Sequence, residues 1–282
     1  MDKLVNKKAS INCKGQLLDL SKPIVMGILN ITPDSFYDGG LYNKPEKILQ
    51  RLNQMISEGA SVIDIGAYSS RPGAANISEK DELKRLIPVL ELIVKNFPDL
   101  IVSVDTFRAN IAKNVVIDYG VSIINDISAG ELDNKMFETV SELKVPYIMM
   151  HMKGRPENMQ KNAQYKNLIK ELINYFAEKV NRLKELGHND IIIDPGFGFS
   201  KTQDQNYEIL KNLNDFQIFD LPVLVGVSRK SMIYKFLDVN PGNALNGTTI
   251  INTIALQKGA NILRVHDVKE AYESIKIVEL IQ

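Results

Sequence analysis

Eight short runs of aliphatic and β-branched residues recur along this chain, and longer stretches with helical spacing of apolar side chains lie between them. The runs are 24–31 (IVMGILNI), 62–67 (VIDIGA), 101–105 (IVSVD), 122–127 (SIINDI), 146–151 (PYIMMH), 191–195 (IIIDP), 223–228 (VLVGVS) and 261–266 (NILRVH). They are apolar at consecutive rather than alternate positions, which suits strands covered on both faces, as in a parallel sheet. Helical patterns fall at 45–59, 79–96, 108–118, 165–187 and 244–258, and Gly59, Gly120, Gly187 and Gly259 stand where such patterns end. Strands alternating with helices make right-handed βαβ units. Eight units, at about 32 residues each, make a closed (β/α)8 barrel, the TIM-barrel architecture. An open doubly wound sheet is the architectural alternative, but it needs edge strands, and the even repetition indicates none. The expectation is one domain over residues 1–282, with 1–22 as an N-terminal extension. Within it, Ala9 to Leu20 is expected to form a small hairpin capping one barrel end.

Composition narrows the functional classes. Lys plus Arg and Asp plus Glu both number 34 among 282 residues, so there is no net charge to attract nucleic acid or an anionic membrane. An anionic ligand must therefore be held by a few local residues. Cys13 is the one cysteine, which rules out an intrachain disulfide and a cysteine metal cluster. No apolar run approaches the roughly 20 residues of a membrane span, and the N-terminal residues show no apolar leader core. A cytoplasmic location is expected.

The runs turn polar at their C-terminal ends. In order, these ends carry Asn30, Asp64, Asp105, Asn125, His151, Asp194, Ser228 with Arg229 and Lys230, and Arg264 with His266. In a barrel all of them meet at one mouth, where barrel enzymes place their active sites. Asp105, Asn125, Asp194 and Lys230 supply acceptors, an amide and a cation, a set suited to a flat heterocycle rich in N–H groups, such as a pterin. Arg71, Arg264, His266 and Asn30 form a second set. Guanidinium groups bind phosphate oxygens bidentately, and an Asn oxygen suits Mg²⁺ bridging a diphosphate. The plainer alternatives are strand-end caps and turns. For Asp64 the cap is preferred, and for Asp105 cap and ligand are evenly balanced. His151 reads as a satisfied core or rim histidine, His188 as a solvated one, and Arg85 and Arg182 as parts of solvated helix faces. Met149, Met150 and Met152 read as adaptable packing, and Cys13 has no basic neighbour to activate it. Two polar loops, 30–40 and 66–73, are suited to closing over a ligand.

In order along the chain, Met26-Gly27-Ile28-Leu29-Asn30-Ile31-Thr32-Pro33-Asp34-Ser35-Phe36, Ser69-Ser70-Arg71-Pro72-Gly73, Ser103-Val104-Asp105-Thr106, Asn125-Asp126, Met150-His151-Met152, Asp194-Pro195-Gly196-Phe197-Gly198-Phe199, Ser228-Arg229-Lys230-Ser231 and Arg264-Val265-His266-Asp267 resemble the signatures of the dihydropteroate synthase family. The resemblance covers residues 26 to 267. It implies condensation of 7,8-dihydropterin-6-ylmethyl diphosphate with 4-aminobenzoate to dihydropteroate and pyrophosphate. It also implies that Asp105, Asn125, Asp194 and Lys230 hold the pterin with Met150 packed on it. Asn30, Arg71, Arg264 and His266 would hold the diphosphate and Mg²⁺, with Asn30 as metal ligand. Ser70, Pro72, Phe199 and Ser231 would border the aminobenzoate, with Ser228 supporting that wall. Asp105, Lys230, Arg264 and His266 would be the catalytic groups. Family members are commonly homodimers and sulfonamide targets, and the apolar segments Ile250–Leu256 and Tyr272–Ile281 are candidates for a dimer face.

The chemistry agrees with that assignment. Diphosphate leaves readily when its growing charge is stabilised, and a pterin methylene cation is conjugated with an electron-rich ring. A neutral arylamine then attacks without a strong base, so an SN1-like path is expected, with the two loops excluding water. The second signature departs from the family's Gly-Glu-Ser-Thr-Arg-Pro-Gly: the chain reads Ala67-Tyr68-Ser69-Ser70-Arg71-Pro72-Gly73, which alters the aminobenzoate side. Two alternatives remain at this point. A methyl-transferring pterin barrel needs no diphosphate site, and a non-catalytic barrel needs neither lid nor phosphate arginines.

Overall fold

The computed structural model describes residues 10–32, 44–69 and 77–281. A hairpin, β1 (Ser10–Cys13) and β2 (Gln16–Asp19), precedes β3 (Ile24–Asn30), α1 (Pro45–Ser57), β4 (Ala60–Gly66), α2 (Glu79–Asn96), β5 (Val102–Asp105), α3 (Ala109–Tyr119) and β6 (Ile123–Asp126). The chain continues through α4 (Met136–Leu143), β7 (Tyr147–Met150), α5 (Leu168–Glu185), β8 (Ile191–Asp194), α6 (Gln203–Lys211), β9 (Leu224–Val225), α7 (Ser231–Tyr234), α8 (Leu245–Gln257), β10 (Ile262–Val265) and α9 (Val268–Glu279). Strands β3 to β10 are parallel neighbours in the order β8-β7-β6-β5-β4-β3-β10-β9, and a parallel bridge between Ile193 and Val223 joins the two ends. The sheet therefore curls into a nearly closed barrel, and the open-sheet alternative falls. The four glycines expected to end helical patterns all hold positive φ. Gly120, for example, sits at φ 70° and donates its N–H to Val115 O.

Period two along each strand sorts the core into layers, because successive side chains point to opposite faces. Outward residues such as Val25, Ile63, Val104, Ile124, Tyr147, Ile191, Val225 and Leu263 pack with the helices in one continuous cluster. Inward residues Met26, Val62, Ile101, Ile123, Ile148, Ile192, Leu224 and Ile262 form a second cluster, one from each strand or its edge. Ile11, Cys13, Leu18 and Leu20 of the hairpin segment join that second cluster, so the hairpin stoppers the N-terminal end of the barrel as expected. Burial pushes the Cys13 thiol up to about 12, in keeping with a packing role. Two residues further along, the inward side chains become Ile28, Asp64, Ser103, Asn125, Met150, Asp194 and Arg264, and Gly226 stands just past β9. The polar layer thus sits directly above an apolar plug.

β9 is shorter than the expected 223–228. The chain leaves the ladder after Val225, and Arg229 adopts φ 54°. Its guanidinium donates to both carboxylate oxygens of Asp267 at 2.9 and 2.7 Å and to Pro241 O at 2.9 Å. This clamp ties the segments that follow β9 and β10 together. Among the described residues no helix is long and apolar enough to cross a membrane.

Phe176 on α5 is fully buried and meets Tyr175 and Phe216 edge-on at 5.4 and 6.0 Å. Phe176→Ala is expected to cost about 3–5 kcal/mol in urea denaturation, because it empties the outer layer without touching the barrel mouth.

Candidate active site

Arg264 lies at the centre of the polar layer. Its Nε donates to Asp64 Oδ2 at 2.6 Å and its Nη2 to Asp105 Oδ2 at 3.0 Å. Asn125 Nδ2 donates to the same Asp64 oxygen at 3.0 Å. Four strands, β4, β5, β6 and β10, thus meet through one guanidinium and one carboxylate. Burial opposes the charge on Arg264, but Asp64 and Asp105 outweigh it and hold its pKa above the ordinary value. Asp105 is pushed up to about 7, mainly by burial, with Asp64, Glu82 and Asp126 adding to the rise and Arg264 opposing it.

The cap reading of Asp64 is thereby corrected: its carboxylate caps no helix but is fully buried inside the barrel, gripping Arg264. The signal was its parity with Val62, which puts both side chains on the inner face. Asp64 Oδ1 is buried and has no hydrogen-bond partner among the described residues. Asp105 is not a cap either. Helix α3 begins without a side-chain cap from Arg108, and Asp133 Oδ2 accepts the Ala109 N–H at 2.8 Å instead.

The other wall is the turn after β8. Asp194 Oδ1 accepts the Gly196 N–H at 2.8 Å. Burial raises Asp194, against the pull of Lys230, the Gly196 amide and Arg264. Lys230 Nζ donates to Phe197 O at 2.5 Å and sits 4.8 Å from the centre of the Phe199 ring. Its stem passes Gly198, where an added Cβ would lie 3.1 Å from Lys230 Cδ. Burial lowers Lys230 to about 8, against the pull of Asp194. Met150 and Phe199 belong to an apolar cluster with Ile127, Met152, Met159 and Phe107, a surface on which a flat ring can lie.

On the side expected to hold phosphate, His266 is fixed through its backbone: its N–H donates to Ser228 Oγ at 3.2 Å, and its carbonyl accepts from Arg51 Nη2 at 2.6 Å. Ser228 is buried in that supporting role, and Ser231 is exposed at the start of α7. Asn30 ends β3 with its Oδ1 only 3.0 Å from where a Cβ on Gly66 would stand, and Asp105 flanks the same glycine at 3.9 Å. Among the described residues no three His, Cys, Asp or Glu side chains gather as a metal cluster. A single amide oxygen at the mouth does fit Mg²⁺ that takes its other ligands from phosphate and water. Ser70, Arg71 and Pro72, and loop residues 33–40, lie outside the described residues.

Several framework residues differ from expectation. His188 is buried rather than solvated. Arg85 donates to Ala67 O at 3.0 Å, tying α2 to the end of β4, whereas Arg182 pairs with Glu138 on an exposed face as expected. Tyr68, at the departure from the family signature, packs edge-on against Phe107 at 5.2 Å and lies 5.5 Å from the Arg108 guanidinium. Arg108 in turn is bonded to the buried carboxylate of Glu82. His151 is buried as expected and faces Lys201, a residue to which sequence reasoning attached no role.

The family model described as "Pterin binding enzyme" matches residues 26–266. The dihydropteroate synthase of Escherichia coli K12 is 43% identical over 268 residues, covering 94% of each chain. A Yersinia pestis dihydropteroate synthase structure with a sulfonamide drug superposes at a TM-score of 0.92, with 42% identity over 96% of this chain and 98% of that one. A Xanthomonas albilineans dihydropteroate synthase with 4-aminobenzoic acid superposes at 0.88, with 34% identity over 97% and 98%.

Removing the guanidinium leaves the buried Asp64 and half-buried Asp105 carboxylates without their shared cation. Arg264→Met is expected to cost about 3–5 kcal/mol in denaturant unfolding. Asp105→Asn added to that background is expected to restore part of the loss, and a double-mutant cycle measures the coupling.

Proposed function

The chain belongs to the dihydropteroate synthase family of pterin binding enzymes, and from that premise we propose how its barrel mouth joins 7,8-dihydropterin-6-ylmethyl diphosphate to 4-aminobenzoate, releasing pyrophosphate, in folate biosynthesis. The observation that carries the reading is Arg264 bridging Asp64 and Asp105. One group thereby serves both the acceptor ring suited to a pterin and the cationic rim suited to a diphosphate.

Asp105, Asn125 and Asp194 accept and donate along the edge of the pterin, Lys230 approaches it from the open side, and Met150 supports its face. In the free protein Asp105 is occupied by Arg264. Pterin N–H groups replace that contact, and the released Nη2 turns to the diphosphate while Nε stays on Asp64. His266 and Arg71 complete the anion site. Asn30 would hold Mg²⁺, which when bound would supply neutralisation of diphosphate charge. Arg264 and His266 stabilise the leaving oxygens as the methylene–oxygen bond breaks, and the Asp105 and Asp194 carboxylates stabilise the cation left on the pterin. The amine nitrogen attacks that carbon as a neutral nucleophile, so the path is SN1-like. Ser70, Pro72, Phe199 and Ser231 border the aminobenzoate, with Ser228 behind them. The likeness to synthases over nearly the whole chain favours this reaction over methyl transfer or binding alone.

The reading includes a homodimer. Ile250 and Ile277, 51% and 63% exposed, present apolar surface on the neighbouring helices α8 and α9, and a second copy of the chain covers them. A cytoplasmic location accords with Cys13 as a free thiol.

The test is to mix the protein with both substrates and Mg²⁺ and to measure dihydropteroate and pyrophosphate. Equimolar products, abolished by EDTA and by Lys230→Ala or Arg264→Ala, are expected; pterin binding without product overturns the reading. The pH profile adds a second prediction. Ionised Asp105 and protonated Lys230 are both required, so kcat/KM falls below pH about 7 and above about 8. Asp105→Asn is expected to remove the acid limb from whatever activity remains.

A further inference from the structure

The turn between β8 and α6 carries Asp194 at one end and Phe199 near the other, and a buried lysine lies beneath it. Lys201 is 3% exposed. Its Nζ lies within hydrogen-bond distance of four atoms: His151 Nδ1 at 3.0 Å, His151 O at 3.3 Å, Gly196 O at 3.0 Å and Phe199 O at 2.9 Å. We propose that Lys201 is a positioning residue for the substrate site, an internal cation around which the 194–200 turn is wound so that Asp194 and Phe199 face the pterin and the aminobenzoate. The proposal rests on the assignment of those two residues to the substrates.

The geometry links the cation to each of them through one peptide. Gly196 gives its carbonyl to Lys201 and its N–H to Asp194 Oδ1, so the ammonium sets the plane of the amide that orients the carboxylate. Phe199 gives its carbonyl to Lys201 while its ring lies beside Lys230. The turn can approach β7 this closely only with glycine at 196, where φ is 76° and an added Cβ would stand 2.1 Å from His151 O.

Three of the four atoms around Lys201 Nζ are carbonyl oxygens, which only accept. The three N–H groups of an ammonium meet all of them where a neutral amine meets two, so Lys201 is assigned as the ammonium and His151 Nδ1 as an acceptor that shares one of its N–H groups. The imidazole proton is then on Nε2. Burial, followed by the charge of Lys201, drives His151 down to about 2, so the ring stays neutral. Tyr175 and Tyr165 lie against the same ring at 4.7 and 6.0 Å and hold its orientation. Burying an ammonium carries a large desolvation cost, and Lys201 is correspondingly lowered well below the ordinary lysine value. Nothing in the reaction transfers a proton to it. What its burial secures is the shape of the turn.

Two measurements test this. The first is ¹⁵N NMR of the histidines in the free protein, of which there are three. His151 is expected as the neutral Nε2–H tautomer with Nδ1 unprotonated from pH 5 to 9; an Nδ1–H tautomer or an imidazolium overturns the proposal. This reading needs no turnover, so it stands apart from the functional assignment and survives a variant that fails to fold. The second is steady-state kinetics of Lys201→Met, with its fold checked by circular dichroism. KM for the dihydropterin diphosphate and for 4-aminobenzoate is expected to rise about tenfold or more, with kcat within about threefold of the parent. Unchanged KM values in a folded Lys201→Met protein overturn the proposal.

Discussion

A guanidinium placed inside a parallel barrel must be neutralised there, and the mouth of this barrel is organised by how Arg264 is neutralised. Asp64 lies two residues above the apolar plug residue Val62 and grips Nε; Asp105 on the next strand takes Nη2; Asn125 on the strand after that braces Asp64. Removing Arg264 leaves Asp64 as an uncompensated buried charge, which costs several kcal/mol. The apolar plug below and the hairpin that stoppers it keep water from entering through the far end. Burial at the mouth is accordingly deep enough to lift Asp105 to about 7 against the pull of Arg264, and charge is concentrated there although the chain as a whole has no net charge.

On the proposed reading the same arrangement couples two subsites. The Nη2 N–H that Asp105 holds is not offered to a diphosphate. A pterin seated on Asp105 would release it, while Asp64 keeps Nε anchored. The opposite wall is built by two lysines with different tasks. Lys230 crosses the face of the 194–200 turn at the mouth, and Lys201 lies behind it, bonded to its carbonyls.

Much of this was legible in the residues. Polar side chains at the ends of eight apolar runs have no place in strands covered on both faces unless those ends converge, and the convergence located the mouth. Asp105, Asn125, Asp194 and Arg264 were found that way. The cap reading of Asp64 gave the functional weight to Gly66 and the loop beyond it, whereas parity with Val62 places Asp64 on the inner face. Lys201 had no comparable signal: its partners are mostly backbone carbonyls, and a carbonyl's direction follows from the turn rather than from residue type. The short β9 was equally hidden, since the Arg229–Asp267 clamp that follows it spans residues far apart in the chain.

The most direct test of the account is calorimetric. Pyrophosphate with Mg²⁺ is titrated into the protein alone and into the protein saturated with 6-hydroxymethyl-7,8-dihydropterin. If Arg264 passes from Asp105 to the phosphate when the pterin binds, the pterin tightens pyrophosphate binding by about tenfold, and pyrophosphate tightens pterin binding by the same factor. An identical pyrophosphate affinity with and without the pterin would contradict the coupling through Arg264.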